Sequence, residues 1–397
     1  MKTSKIFVIL LLICSAKLVY SQCDSGELSQ LLNSNDPYDR FEAAIHIAEF
    51  EFEELIPDLE TRFYEEEYLY VAQMIIFALD SLHSIHLEQT TLDFIENADN
   101  LQPLLSFDDP LKSKVYGCSI LFELQNYSAI DFVFDEVEIE RPNLDLTVIF
   151  CLLNILTDNN LSQYQSDAKN ELIDFVNTNA DDVVRSVVLE ALVDRFGSEL
   201  TSLLLDKSNN DPDWIVRDCA NEMLAEINYT GLRTEYYQKL QNDIEPQVRR
   251  ILADSILSLL GEPQDLKEVI DHIDNEGDED MQIIMQYKVD KFIPPRPTVS
   301  TSEMISNLIT YTKEIFKYGW IGDDETYQDY KSLLVGLKEN YANSDLEGIC
   351  KNIDTILENT EFQHNTSSLT EEGYKFLHYH SVYIKENIES EFGSCEN

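Results

Sequence analysis

Glycine and basic residues are both scarce in this sequence of 397 residues. The 12 glycines are roughly half the usual share, which favours helices. Lys and Arg together number 28 against 75 Asp and Glu. A charge of this sign repels phosphate backbones and anionic lipid surfaces, so nucleic acid and direct membrane contact are disfavoured. The ordinary interpretation of so many acids is a well-solvated surface, and the alternative is a cationic partner.

Common catalytic and metal-binding motifs are also missing. The sequence has no H-E-x-x-H, G-x-S-x-G, phosphate-binding glycine loop or C-x-x-C, so we predict no enzymatic activity, no cofactor and no zinc site. His83 and His86 stand three apart near Glu88, a spacing that lets two side chains on a helix reach one metal ion. An ordinary surface or core pair is the preferred interpretation. His378 and His380 are two apart and would diverge on a helix.

The first 21 residues have the pattern of a secretory signal peptide. Lys2 and Lys5 precede a short apolar run, and small or polar residues follow up to Ser21. No later segment approaches the roughly 18 uninterrupted apolar residues of a membrane helix. We therefore expect a secreted or periplasmic protein. Cys23 stands where a bacterial lipoprotein carries its lipid, but Gln22 fits that signal poorly, so lipidation is the lesser alternative.

Six cysteines remain after removal of the signal peptide. Cys118, Cys151 and Cys219 lie within apolar helical patterns, where a buried free thiol is expected. An even count in an exported protein permits disulfides. We prefer the pair Cys350 and Cys395.

The middle of the chain carries an internal repeat. A Val-Arg pair recurs at intervals of 32 residues, and an acid follows each arginine by five residues. The arginines are Arg185, Arg217 and Arg249, and the acids are Glu190, Glu222 and Asp254. Asp-Pro pairs at Asp211, Asp36 and Asp109 predict helix starts, because aspartate accepts from free amides and proline suits the first turn. Apolar residues at helical spacing follow each start, which indicates two helices per repeat, stacked as a solenoid.

The motif formed by Asp211, Pro212, Val216, Arg217 and Ala220 resembles a HEAT repeat of the short, roughly 30-residue kind. We assign residues 22–291 to this repeat region. The resemblance implies a structural ladder between successive repeats, which we carry over to a set of five residues. The set is Arg185, Arg217, Arg249, Asp182 and Asp213. The rival interpretation, a basic strip that grips an anion, is disfavoured because many acids surround the arginines.

Composition changes again before the carboxyl-terminal part. Residues 292–299 contain Pro294-Pro295-Arg296-Pro297 and predict a stiff linker. Four apolar periods in residues 300–390 predict a small helical bundle. The acids between residues 271 and 280 suggest calcium, but their order does not match an EF-hand loop, so a solvated loop is preferred.

The carboxyl-terminal segment resembles the small helical domain called FIMAH-like. The resemblance is carried by Gly319-Trp320-Ile321-Gly322 and by Leu369-Thr370 with Tyr374. It implies an accessory or interaction module without catalytic residues.

The sequence therefore predicts an all-α protein: a HEAT-like alpha-alpha superhelix followed by a small helical bundle. We expect an exported, non-catalytic scaffold that receives a protein partner on the concave face of the solenoid. The alternatives are an extracytoplasmic enzyme, a hydrolase or a lyase, and an acidic binder of divalent cations such as calcium. Four Asn-x-Ser/Thr triplets are glycosylation acceptors in a eukaryotic secretory route and carry no meaning in most bacteria. Their asparagines are Asn126, Asn160, Asn228 and Asn365.

Overall fold

The computed structural model of the chain describes residues 24–105, 109–140, 146–179 and 181–395. These residues are all-helical and contain no β-strand, which confirms the predicted all-α class. Two isolated bridges join Tyr68 to Gln102 and Ile321 to Leu369. The predicted signal peptide, residues 1–21, and Cys23 lie outside the described residues. None of the helices described is both long and apolar enough to cross a membrane.

Two compact units make up the chain, one ending at Phe196 and the other beginning at Gly197. The first contains α1 (Ser25–Leu32), α2 (Pro37–Glu49), α3 (Ile56–Glu65), α4 (Leu69–Ser81), α5 (Leu87–Asn97), α6 (Pro110–Glu123), α7 (Asp131–Glu140), α8 (Leu146–Thr157), α9 (Gln165–Thr178) and α10 (Asp182–Phe196). The second contains α11 (Thr201–Asn210), α12 (Trp214–Glu226), α13 (Leu232–Asn242), α14 (Pro246–Ser255), α15 (Pro263–Ile273), α16 (Glu279–Lys291), α17 (Thr301–Lys317), α18 (Asp324–Ala342), α19 (Leu346–Asn365) and α20 (Glu371–Phe392). The expected linker, residues 292–299, falls inside the second unit.

From α2 to α15 the helices follow one another in pairs, and we call the even-numbered helix of each pair the first helix. Aspartate starts several of these first helices. Asp36 and Asp109 each accept a backbone N–H and are followed by proline at the first helical position, as predicted. For α12 the cap is Asp213, two residues after the expected Asp211. Asp211 instead accepts the backbone N–H of Asp213, because a tight turn precedes the helix.

Helix α4 illustrates how the pairs build a core. Val71, Ala72, Ile75, Ile76 and Leu79 are at most 1% exposed, and the helix packs against α2. Burying an aliphatic side chain stabilises a fold by about 1.5–3 kcal/mol. The apolar face is therefore what holds each short helix in place, since isolated helices of this length are marginal in water.

The four helices expected after residue 300 are α17 to α20, and they pack around a shared core. Gly319 has a φ of 76°, a backbone conformation that glycine adopts without strain. It turns the chain so that Trp320 is buried and stacks on Phe376. A disulfide joins Cys350 to Cys395, the pair preferred from the sequence, with Cα atoms 5.5 Å apart.

The segment between α16 and α17 packs on α20 along its length. The hydroxyl of Tyr383 donates to the Pro294 carbonyl at 3.0 Å, and Arg296 pairs with Glu386 at 2.8 Å. Lys375, which is buried, donates to the last carbonyls of α16 at 2.8 and 3.0 Å. Side chains of α20 therefore fasten the carboxyl-terminal helices to α16, the helix that follows the last pair.

Candidate functional site

Arginine side chains bridge the turns that separate one helix pair from the next. In the second unit, Arg217 donates from Nε and Nη2 to the two carboxylate oxygens of Asp243 at 2.9 and 2.8 Å. Its Nη1 donates to the Asp211 carbonyl at 3.0 Å. Arg249 repeats the arrangement, with Glu276 as the carboxylate and the Asp243 carbonyl as the second acceptor. Asp243 therefore binds two successive arginines, one through its side chain and one through its backbone.

The acids at these turns also shape the chain. Oδ1 of Asp243 accepts the backbone N–H of Glu245, and Oε1 of Glu276 accepts that of Asp278, each two residues later. Hydrogen bonds from Arg249 lower the pKa of Glu276 to about 2, although burial alone would raise it. The carboxylate is held ionised and oriented, because bidentate charge-assisted bonds are among the strongest that side chains make.

The first unit contains the same contact. Arg40 donates to both carboxylate oxygens of Glu66 at 2.8 and 2.7 Å and to the Ser34 carbonyl at 2.9 Å. Burial alone would raise the pKa of Glu66, but the hydrogen bonds from Arg40 and the backbone lower it. Arg185 donates from Nη1 to the Asn179 carbonyl at 2.5 Å, the same position six residues before the arginine.

Two aspartates of the predicted ladder have other contacts. Asp213 caps α12 by accepting the backbone N–H of Ile215, and Asp182 lies in the first turn of α10. The carboxylate that faces Arg217 is Asp243, which lies 26 residues away on the far side of α13. Sequence reasoning missed Glu276 as well, since it stands in the acidic stretch interpreted as a solvated loop. The spacing of 26 or 27 residues from each arginine was the available signal.

Equivalent positions of α12, α14 and α16 form a continuous surface in the second unit. The helix caps are Asp213, Glu245 and Asp278. Residues five and nine positions after a cap lie one turn apart on one stripe. The stripes adjoin because α14 packs against both α12 and α16. We call this surface the repeat face: Asp218, Glu222, Arg250, Asp254, Ile283 and Tyr287, together with Trp214, which lies one turn before Asp218.

Asp218 is the perturbed group of the repeat face. Burial raises its pKa to about 6, and the nearby Glu222 adds to the effect. Arg250, at the equivalent position of α14, opposes the shift. Oδ1 of Asp218 is buried and has no hydrogen-bond partner within the described chain. A carboxylate in this state is an unfulfilled acceptor, which favours contact with an added donor.

Asn221 lies one turn further along α12 than Asp218 and adds a second buried polar side chain to this region. It is 2% exposed, and neither polar atom of its side chain has a partner among the described residues. Its backbone carbonyl accepts the hydroxyl of Tyr236 at 2.9 Å. Asp218 and Asn221 thus carry three buried polar atoms without hydrogen-bond partners in the described chain, which is a costly arrangement.

The other end of the repeat face is apolar. Ile283 and Tyr287, one turn apart on α16, are 67% and 59% exposed. Ile284 beside them is 38% exposed. Between the two ends, Asp254 forms a surface ion pair with Lys288 at 3.0 Å. A surface that combines exposed aliphatic and aromatic groups with acids is suited to a segment that carries both apolar and basic side chains.

A second polar cluster surrounds the buried Asp265. Its carboxylate accepts from Arg233 at 3.0 and 3.1 Å and from the Tyr237 hydroxyl at 2.5 Å, and it closes a capping box with Glu262. Burial raises the pKa of Glu314 nearby, and Glu262 adds to it. Both carboxylate oxygens of Asp265 already accept hydrogen bonds. This cluster therefore joins helix α13 to helix α15 and does not leave that carboxylate free for a ligand.

Other candidate positions offer less chemistry. A shallow pocket of about 120 Å³ in the first unit is lined by Tyr127 and Asp158, which bond to each other. It is small beside the usual 300–1,000 Å³ of ligand pockets. His83 and His86 lie in the turn between α4 and α5 and not on a helix, and His86 pairs with Glu60 at 3.0 Å. Across the described ranges, no three His, Cys, Asp or Glu side chains are placed to hold one metal ion.

Three cysteines of the described ranges form no disulfide, and they do not add a reactive site. Cys118 and Cys151 are fully buried, and burial raises the pKa of Cys118 to about 12. Cys219 is half-buried. No protein-family model matches the chain, and no curated protein or solved structure is significantly similar to it.

Proposed function

We propose that this chain is an exported, non-catalytic interaction scaffold of HEAT-like repeats, and that its repeat face binds a basic, amphipathic segment of a partner protein. The observation that carries the proposal is the repeat face itself. It places the unsatisfied carboxylate of Asp218 and the exposed Ile283 and Tyr287 on one surface. The FIMAH-like helical bundle after residue 300 serves as an accessory module.

The recurrence of one contact supports the repeat architecture. Arg40, Arg217 and Arg249 each bind an acid 26 or 27 residues later and a carbonyl six residues earlier. Contacts of equal spacing are expected when equivalent helix pairs stack with one geometry. The 32-residue interval between Arg217 and Arg249 agrees with this.

The charge supports the choice of partner. The formal net charge of −47 attracts a cationic segment and repels an acidic one, so it raises the rate at which the correct partner arrives. Apolar contacts with Ile283 and Tyr287 would then supply most of the affinity. Asp218 would supply selectivity, since Oδ1 of its carboxylate makes no hydrogen bond within the described chain and a charge-assisted bond to an ammonium or guanidinium group is a strong one.

Binding of defined peptides tests the proposal. The protein from residue 22 onward is titrated against a fluorescent amphipathic Lys/Leu peptide and against its Glu/Leu counterpart, and anisotropy is measured at two salt concentrations. We expect binding of the basic peptide alone, weakened by salt. Equal binding of the two peptides, or binding of neither, would refute the proposal.

Point variants locate the surface. Tyr287→Ser should weaken binding roughly tenfold, because an exposed aromatic anchor is lost. The matched control is Ile244→Ser, since Ile244 is an 86% exposed apolar residue outside the repeat face. Equal losses in the two variants would show that binding follows general surface hydrophobicity. Truncation before Pro294 is less suitable, because it removes Lys375 from the end of α16.

A further inference from the structure

The four Asn-x-Ser/Thr triplets lie at the carboxyl ends of helices or a few residues beyond them. Asn126 follows α6, Asn160 follows α8 and Asn228 follows α12, while Asn365 is the last residue of α19. Asn160, Asn228 and Asn365 are exposed, and Asn126 is half-exposed. Asn160 lies in a one-turn 3-10 helix, and none of the four asparagines stands in the middle of an α-helix.

Three of the triplets occupy the same place in the helix pairs. Asn126, Asn160 and Asn228 each lie between the first and second helix of a pair, namely α6 and α7, α8 and α9, and α12 and α13. The arginine contacts are made at the other kind of turn, where one pair gives way to the next. In the second unit, a bulky group on Asn228 would therefore leave the contacts of Arg217 and Arg249 untouched.

The side-chain amides of these asparagines make only surface hydrogen bonds. Nδ2 of Asn228 donates to the Glu226 carbonyl at 3.2 Å, and that of Asn160 to the Tyr127 hydroxyl at 3.4 Å. Nδ2 of Asn365 donates to the Glu361 carbonyl at 2.8 Å, within the last turn of its own helix. Water or a sugar replaces such bonds at small cost, since the groups involved are solvent-accessible.

The compartment is supported by two independent observations. The first residues have the pattern of a secretory signal peptide, and Cys350 and Cys395 are joined by a disulfide. Disulfides persist in oxidising compartments such as the secretory lumen and are rare in the cytosol.

From these observations we infer that Asn126, Asn160, Asn228 and Asn365 are N-glycosylated in a eukaryotic secretory pathway. The inference rests on the export component of the proposed function. The Asn Nδ2 forms a bond to the anomeric carbon of a lipid-pyrophosphate-linked oligosaccharide. The bond from that carbon to the pyrophosphate oxygen breaks, and the lipid pyrophosphate leaves while the amide loses one proton to a base of the transferase.

Secretion of the full chain, with its own first 21 residues, from cultured eukaryotic cells tests the inference. The medium is treated with peptide-N-glycosidase, which converts each modified asparagine to aspartate, and the sites are read by peptide mass spectrometry. We expect conversion at the four triplets and at no other asparagine. Thr230→Ala should abolish conversion at Asn228 alone, because the asparagine stays while its triplet is destroyed.

Each outcome is decisive. Secreted protein without conversion at the triplets overturns the inference but leaves export intact. Retention of unmodified chain in the cytosol overturns both export and the inference. Partner binding is judged separately, because the peptide titration uses protein made without glycans.

Discussion

The Asp218→Asn substitution should stabilise the protein at neutral pH, although it removes a charge from the proposed binding surface. In the folded chain Asp218 is partly buried, and its pKa is raised from 3.8 to about 6. Ionisation at pH 7 therefore costs free energy in the folded state that it does not cost in the unfolded state. Asparagine has nearly the same shape and carries no charge, so the cost disappears.

The size of the effect follows from the shift. Two pKa units correspond to about 3 kcal/mol if the carboxyl were fully buried. Asp218 is only partly buried, and solvent reduces the free-energy cost of its ionisation. We therefore expect Asp218→Asn to raise the free energy of unfolding by roughly 1–2 kcal/mol. Because the folded pKa is the higher one, the folded state binds more protons between about pH 4 and pH 6. Relative to Asp218→Asn, the native chain thus loses stability as pH rises through this window.

Denaturant unfolding measured by tryptophan fluorescence suits this test. The chain has 2 tryptophans, Trp214 and Trp320, and both lie in the second unit with Asp218. Unfolding is followed in urea at pH 4, 5, 6 and 7 for the native chain and for Asp218→Asn. Glu226→Gln is the matched control, because it removes one charge from an exposed position of the same helix.

The reasoning fails if Asp218→Asn is no more stable than the native chain at pH 7. It fails as well if the difference between the two proteins is the same at pH 4 and at pH 7. A similar gain in Glu226→Gln would assign the effect to general charge repulsion.

Two further predictions concern buried groups. Arg217→Ala should lower the free energy of unfolding by about 3–5 kcal/mol, because the buried carboxylate of Asp243 is left unpaired. Arg217→Lys keeps the charge but loses the bidentate guanidinium contact, so its free energy of unfolding in the same urea assay should lie between those of the native chain and Arg217→Ala. His380 is buried, and burial lowers its pKa to about 4. Its folded pKa is below the unfolded value of 6.5, so the contribution of His380 to stability should fall by about 3 kcal/mol as pH drops from 6.5 to 4. His380→Phe should abolish this dependence, and an unchanged pH profile would contradict the assignment.

The sequence singled out the arginines that bridge the turns but not the acids that they bind. Arg217 and Arg249 stand out because the Val-Arg pair recurs at a fixed interval. Asp243 and Glu276 do not, since one is aspartate and the other glutamate, and a whole helix separates each from its arginine. Local pattern reports on neighbours within a few residues, and these contacts depend on how two helices stack.

The linker shows a second limit of local pattern. Pro294 to Pro297 cannot continue a helix, and this part of the expectation follows directly from the proline ring. The contacts of Pro294 and Arg296 are to residues 89 to 91 positions away in α20. Composition cannot reveal such partners, so a segment that resembles a spacer is in fact packed.

The packing of α20 also has a consequence for self-association. A stack of helix pairs ends on an apolar surface that would accept another copy unless something covers it. In the second unit Lys375 closes the end of α16, and Phe292 packs against Phe376 with ring centres 5.8 Å apart. The carboxyl-terminal helices thus cover the end of the proposed stack. Without these helices the apolar end of the proposed stack would be exposed, and the protein would be expected to polymerise end to end.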